Sequence, residues 1–443
     1  MKELKKEQKV EPPKVEPVKV ETPKVEPVKV EPVKVDPKET VSMYKNYGAP
    51  VLFVIIVPII LFYILKKSTT VSQNIFPNWI SVGVLVVFLV WGYASLRLFP
   101  QNFEGPKNVD GSVPKYQGNG FRFWIASIIV VVGVCLKWKK VPEMVTTNFI
   151  PIIMTFNIFG LLFVGYLYFA GRKEYWGKEE DDKKGYSWLF RFYRGLEFHP
   201  RIAGVDIKQL TNCRFGMIFW QVIIIIFAFF SYYSEGFNVA MWVTVVLQTI
   251  YIAKFFWWET GYFNTLDITL DRAGYYICWG CLVFLPAFYT FTCYYLANNP
   301  SMISGLVGMV ILLLGCWFIW MNYKVDKEKE DFKANPDCKI WGKKAEFLNC
   351  DFKEEEKKPS KLLVSGWWGK SRHMNYTYEI GLSGCWSAVG APLGIAPFAY
   401  LGYIIALLVH RIYRDEDKCR VKYGKYWDEY CKRVPARLIP GIF

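Results

Sequence analysis

The sequence predicts an all-α, polytopic membrane protein with about ten transmembrane helices and a folded, polar C-terminal region. Three observations carry that reading. The 443-residue chain is 53% hydrophobic and 18% aromatic. Its apolar residues are gathered into runs of about 20, the length that crosses the hydrocarbon layer as a helix. No βαβ alternation and no GxGxxG turn after a strand is present, so a Rossmann domain is not expected.

Residues 1–42 repeat a five-residue unit, as in Val15-Glu16-Pro17-Val18-Lys19 and Val25-Glu26-Pro27-Val28-Lys29. Proline removes backbone donors and the alternating charges stay solvated, so this segment reads as a disordered tail and not as a signal peptide. From Ala49 the apolar runs begin. Spans are expected near 49–65, 80–99, 121–137, 149–170, 214–233, 237–258, 274–297 and 302–323. The region 380–409 is too long for one crossing and is broken by Gly390, Pro392, Gly394 and Pro397, which predicts a tight pair of broken helices. Residues 43–323 thus form the N-terminal transmembrane helices, and 324–443 a membrane-embedded catalytic region.

With ten crossings, the tail, the loops 100–120, 171–213, 259–273 and 324–379, and the segment 410–443 share one side. These hold most of the Lys and Arg, and the bias of basic residues places that side in the cytoplasm, with Lys66-Lys67 and the basic run at 137–140 as exceptions. In a eukaryotic cell the expected membrane is that of the endoplasmic reticulum. The same placement explains the net charge of +15 without nucleic acid, because the basic residues flank apolar runs and no basic patch sits on a soluble module. The eleven cysteines are scattered, and Cys135, Cys293, Cys316 and Cys385 lie within apolar runs. Cys278 and Cys281 form a CxxC without a second pair or a nearby His, so they read as core and no metal site is expected.

From Lys324 onward, Arg, Asp, Asn, Tyr and Trp crowd around the broken apolar helices. Cationic forks neutralise phosphates, Asn and Asp bond to ribose or carboxamide, and flat rings cover bases, so the set suits a dinucleotide. An Arg-rich segment snorkelling to lipid headgroups would carry the same cations, and the residues alone leave both readings open.

The string Lys361-Leu362-Leu363-Val364-Ser365-Gly366-Trp367-Trp368-Gly369, with Arg372-His373 and Asn375-Tyr376, resembles the signature of the sterol reductase family. The stretch from Arg414-Asp415-Glu416 through Lys422-Tyr423-Gly424, Trp427, Tyr430 and Val434-Pro435-Ala436-Arg437 to Phe443 resembles its second signature. Gly195-Leu196-Glu197-Phe198-His199-Pro200-Arg201, and Gly105-Pro106 with Pro114, Tyr116 and Asn119-Gly120, are similar to further family motifs. Members reduce a sterol double bond at carbon 14, carbon 7 or the side chain. Cys338 to Lys344, Cys350, Cys278 to Val283 and the final Leu438 to Phe443 look most like the branch that reduces 7-dehydrocholesterol.

The resemblance implies NADPH-dependent reduction of the C7–C8 double bond of a sterol, in a lipid bilayer, as a step of sterol biosynthesis. It implies NADPH contacts at Lys329, Lys333, Leu363, Trp368, Asn375, Tyr376, Asp415, Cys419, Arg420, Val421, Lys422, Tyr423 and Tyr430. Lys329 and Lys333 are four apart and share a helical face. Three positions depart from the family pattern: Lys333 where Arg is frequent, Tyr378-Glu379 in place of Gly-Asp, and Ala436 in place of tyrosine.

A hydrocarbon double bond with no carbonyl attached is not polarised for hydride attack, so it must be protonated first, by an acid in a dry apolar site. The polar stretch from Trp257 to Asp271 supplies candidates, and the resemblance points to Tyr262 as proton donor, with Glu259 or Asp267 orienting it. An interfacial aromatic and a solvated acidic loop are the bland readings of the same residues. Alternatives to the carbon-7 reading are a carbon-14 reductase, a non-catalytic sterol-binding membrane protein, and a methyltransferase of the isoprenylcysteine type, whose C-terminal signature is similar.

Overall fold

The computed structural model describes residues 43–70, 72–98, 100–107, 113–175, 185–352 and 359–443. The repeat tail of residues 1–42 lies outside the described residues. Among these, nine helices are long and apolar enough to cross a membrane. They are α1 (Tyr44–Lys67), α2 (Trp79–Leu98), α3 (Gly120–Lys137), α4 (Phe149–Arg172), α5 (Gln209–Glu235), α6 (Val239–Trp257), α7 (Tyr275–Asn298), α8 (Gly305–Ala334) and, after the shorter α9 (Met374–Ala388), α10 (Ala396–Tyr423). A last amphipathic helix, α11 (Lys425–Arg433), follows the turn at Gly424. The expected pair of broken helices is α9 and α10: the 3-10 turn Ala391–Leu393, with Pro392, separates them, and a second 3-10 turn, Ala396–Phe398, with Pro397, opens α10.

Among the described residues the strands form four two-stranded antiparallel pairs in the loops: β1 (Asn102–Glu104) with β2 (Lys115–Gln117), β3 (Arg201–Ile202) with β4 (Val205–Asp206), β5 (Lys339–Ile340) with β6 (Lys343–Lys344), and β7 (Phe347–Cys350) with β8 (Ser360–Leu363). Strands of two to four residues are too short to leave a period-2 pattern, so the sequence gives no sign of them.

α5 and α7 are buried over most of their length, whereas α1, α2, α3, α8 and α10 turn most of their residues outward. A helix apolar on all faces belongs in the centre, and α5 carries Ile223, Ile224, Phe227 and Ala228 there. Lipid gives apolar helices little reason to prefer each other, so polar bonds between them fix the arrangement. The Trp220 indole donates to Gln248 at 2.7 Å, Trp124 to Gln221 at 3.0 Å, and Trp279 to Asn157 at 2.8 Å.

Two irregularities position the site. α8 has 30 residues, about 45 Å at 1.5 Å each, against about 30 Å of hydrocarbon. Its polar last turns, with Lys329 and Lys333, therefore stand beyond the apolar layer. α5 and α7 both begin with wide π-helical turns, at Gln209–Gly216 and Tyr275–Tyr289, and these two stretches pack on each other. Gly216 permits the approach, since a Cβ there would sit 2.6 Å from the Cys281 carbonyl oxygen.

Candidate functional site

Where α8 leaves the bilayer, it meets β8, the short helix Gly366–Lys370, α10 and α11 around a cavity of about 630 Å³. Glu328 fixes one wall: its carboxylate accepts from the Trp367 amide at 2.7 Å, and a Cβ on Gly366 would collide with it. Trp368 then turns inward, its indole donating to the Val325 carbonyl at 2.9 Å, and the Lys329 ammonium lies 3.8 Å from the ring centre. The hydroxyl of Tyr430 on α11 reaches the Trp368 carbonyl at 3.4 Å.

Nine of the thirteen implied cofactor contacts line this cavity: Lys329, Lys333, Leu363, Trp368, Asp415, Cys419, Lys422, Tyr423 and Tyr430. On α10 the lining positions follow the helical repeat, 415, 419, 422 and 423. Arg420 and Val421 fall on the other face. Arg420 pairs with Asp417 at 3.6 Å and Val421 is 83% exposed, so neither lines the cavity. Asn375 and Tyr376 stand behind the wall. Asn375 donates to Asp326 at 3.0 Å, and Tyr376 stacks on His373 at 5.3 Å between ring centres.

His373 lines the cavity with its Nε2 buried and unpaired. Burial, ahead of the opposing pull of Asp415, lowers its pKa to about 4, so the ring is neutral at neutral pH. Arg372, quoted in the same motif, has another role: it donates to Glu416 at 2.7 Å and to the Val434 carbonyl at 2.6 Å, clamping the C-terminal segment to α10. Lys418 and Trp427 also line the cavity and were not selected from sequence. For Lys418 the helical phase relative to Asp415 and Lys422 is the signal that finds it, whereas Trp427 lies on α11, beyond the turn at Gly424.

A second, smaller cavity of about 140 Å³ lies within the bundle, between α1, α5, α7 and α10. Its walls are aromatic and apolar, with Trp279, Tyr289 and Tyr403, and its polar end holds Asp267 and Arg411. The Arg411 guanidinium grips both Asp267 oxygens, at 2.5 and 2.6 Å, and Arg414 holds Asp271 at 2.7 Å. The loop bearing these acids is set by Lys208, whose buried ammonium donates to the carbonyls of Asp267, Ile268 and Asp271 at 3.2, 2.7 and 2.9 Å. Arg411 and Lys208 went unselected in the sequence because their partners are distant in the chain.

Tyr262 packs on Phe255 and Phe263, and its hydroxyl is buried with no hydrogen-bond partner. Burial, then the charge of Asp267, holds its pKa well above the ordinary phenol value, so the proton is retained at neutral pH. Asp267 is thus its charged neighbour. Glu259 is not: its carboxylate binds Arg214 and accepts from the Gly120 amide at 3.0 Å, and the group is 2% exposed. A buried Arg takes the nearest carboxylate, which commits Glu259 to joining α3, α5 and the end of α6.

The Ergosterol biosynthesis ERG4/ERG24 family model matches residues 42–443. The chain is similar to a 7-dehydrocholesterol reductase of Arabidopsis thaliana, 35% identical over 84% of this chain and 87% of that one. It is 34% identical to a 7-dehydrocholesterol reductase of Xenopus laevis, over 77% and 73%. A Delta(14)-sterol reductase of Methylotuvimicrobium alcaliphilum is 32% identical, over 83% and 84%.

Proposed function

This chain belongs to the Ergosterol biosynthesis ERG4/ERG24 family, and from that premise we propose that it is a membrane reductase of the C7–C8 double bond of a sterol, with NADPH as reductant. The observation that carries the reading is a pair of neighbouring cavities, one cationic and aromatic, the other apolar with an acid at its end. The larger cavity suits a phosphorylated dinucleotide in size and donor set. Lys329, Lys333 and Lys422 would neutralise its phosphates, and the rings of Tyr423 and Tyr430 would cover its flat portions. When bound, NADPH supplies a hydride.

The residues of the chain do the rest. Tyr262 holds the proton for the alkene, Arg411 keeps Asp267 paired beside it, and the aromatic wall keeps water from an electron-poor carbon. Tyr376 lies between the two cavities, stacked on His373 of one and in electrostatic reach of Arg411 of the other.

Similarity to two 7-dehydrocholesterol reductases supports carbon 7, and the Delta(14)-sterol reductase relative supports carbon 14 as the second reading. Expression in sterol-making cells, with sterols profiled by mass spectrometry, tests both. Disappearance of 5,7-dienes is expected. Disappearance of 8,14-dienes instead would move the function to carbon 14. Consumption of NADPH, with no turnover of S-adenosylmethionine, separates reductase from methyltransferase, and a scaffold would consume neither.

A further inference from the structure

One wall residue of the smaller cavity carries a polar atom that the fold does not use. Asn212, in the π-wound start of α5, lines it. The Nδ2 group donates to Cys281 Sγ at 3.4 Å, and Oδ1 is buried without a hydrogen-bond partner. Leaving a buried carbonyl unpaired costs about 1–3 kcal/mol, so such an atom calls for a role. The wide turn explains how it comes to be there. Gly216 lets α5 approach the Cys281 carbonyl closely, and Asn212, one wide turn earlier, bonds the Cys281 side chain in the same contact.

The neighbourhood contains a second buried orphan, the Tyr262 hydroxyl, which is in electrostatic reach of Cys281, Cys213 and Asp267. One orphan is a donor and the other an acceptor, and both neighbour Cys281. Resting on the reductase reading, we infer that Asn212 is a further catalytic residue, whose side-chain carbonyl faces the ring carbon that becomes positive when the alkene is protonated.

The step balances as follows. The alkene π pair forms a C–H bond as the Tyr262 O–H bond breaks, leaving a phenolate near Arg411 and a positive charge on the adjacent carbon. NADPH, held by Lys329, Lys333 and Lys422, would supply the hydride whose electron pair fills that carbon. The alkene gains one proton and one hydride, and NADPH is oxidised. A carbonyl dipole already fixed with its negative end toward the cation stabilises it without reorganisation. An amide suits the place better than a carboxylate, because it does not compete with Asp267 for Arg411.

The test uses the full chain in lipid nanodiscs with two probes. One is the saturated neutral sterol; the other is a sterol with a ring nitrogen protonated at pH 7, which mimics the cation. Asn212→Leu is expected to lower kcat about 100-fold, with KM for sterol and the Kd for NADPH little changed. Affinity for the charged probe should fall by an amount comparable to kcat, while the neutral sterol keeps its affinity. Asn212→Asp, close in shape, should retain the charged probe. Unchanged kcat in Asn212→Leu, or equal loss of both probes in both variants, overturns the assignment. If the wild-type chain reduces neither 5,7- nor 8,14-dienes, the reductase reading itself fails, and this inference with it.

Discussion

Tyr262 and His373 show how burial sets the protonation state of single residues on opposite sides of a membrane site. The Tyr262 hydroxyl is buried and unpaired, so no side chain of the protein takes its proton at rest. Tyr262→Phe is expected to reduce sterol turnover at least about 100-fold, with NADPH affinity unchanged by equilibrium titration. Loss of NADPH binding in step with turnover would refute the assignment. Replacing Lys329 by Met should raise KM for NADPH about tenfold, more than it changes kcat, because a phosphate contact is equal in ground and transition states. His373 is held neutral, with its pKa lowered to about 4 from 6.5 by burial. A lowered His contributes fully above pH 6.5, and its contribution is lost as pH falls toward 4, where the unfolded chain binds more protons. Thermal unfolding between pH 7 and 4 should therefore show a drop in stability of up to about 3 kcal/mol that His373→Gln flattens.

At the scale of elements, the wide turns do what regular helices cannot. In α1 the Leu52–Ile56 stretch winds as a π-helix, so the Val57 amide bonds the Leu52 carbonyl. The next amide in that pattern belongs to residue 58, a proline without N–H, and the Phe53 carbonyl is left without a helical donor. Tyr275, at the start of α7, supplies its hydroxyl at 3.0 Å. Phe53, Val57 and Tyr275 all line the smaller cavity, so this single bond ties the first helix to its edge. Tyr275→Phe should destabilise the protein by about 1–3 kcal/mol, and Tyr275→Phe with Pro58→Ala, which restores an amide, should recover part of that in thermal unfolding. An equal loss in both variants would show that the bond is not what Tyr275 contributes. None of this is legible in a hydropathy run, because a π turn changes the hydrogen-bond partner and not the composition.

For the whole molecule, the alternation of loops along α9 and the nine membrane-length helices among the described residues predicts sidedness. A glycosylation acceptor placed in the turn between α5 and α6, at 236–238, should be modified in microsomes, and one placed between β5 and β6, at 341–342, should not; the reverse pattern would invert the proposed orientation. The sequence by itself determined the helices, since a backbone in lipid must bond internally and about 20 apolar residues leave it one way to do so. The resemblance to the family signatures also pointed to residues that meet at the larger cavity, Lys329 and Lys333 on α8 and Asp415, Cys419, Lys422 and Tyr423 on α10. Only the tertiary structure decided which partner each charge takes. Glu259 and Asp267 stand eight residues apart with the same carboxylate chemistry, yet Arg214 on α5 takes the first and Arg411 on α10 brings the second to the cavity. An ion pair between residues 144 apart depends on which helices touch, and helix contact is set by packing and by buried polar bonds that no local pattern encodes.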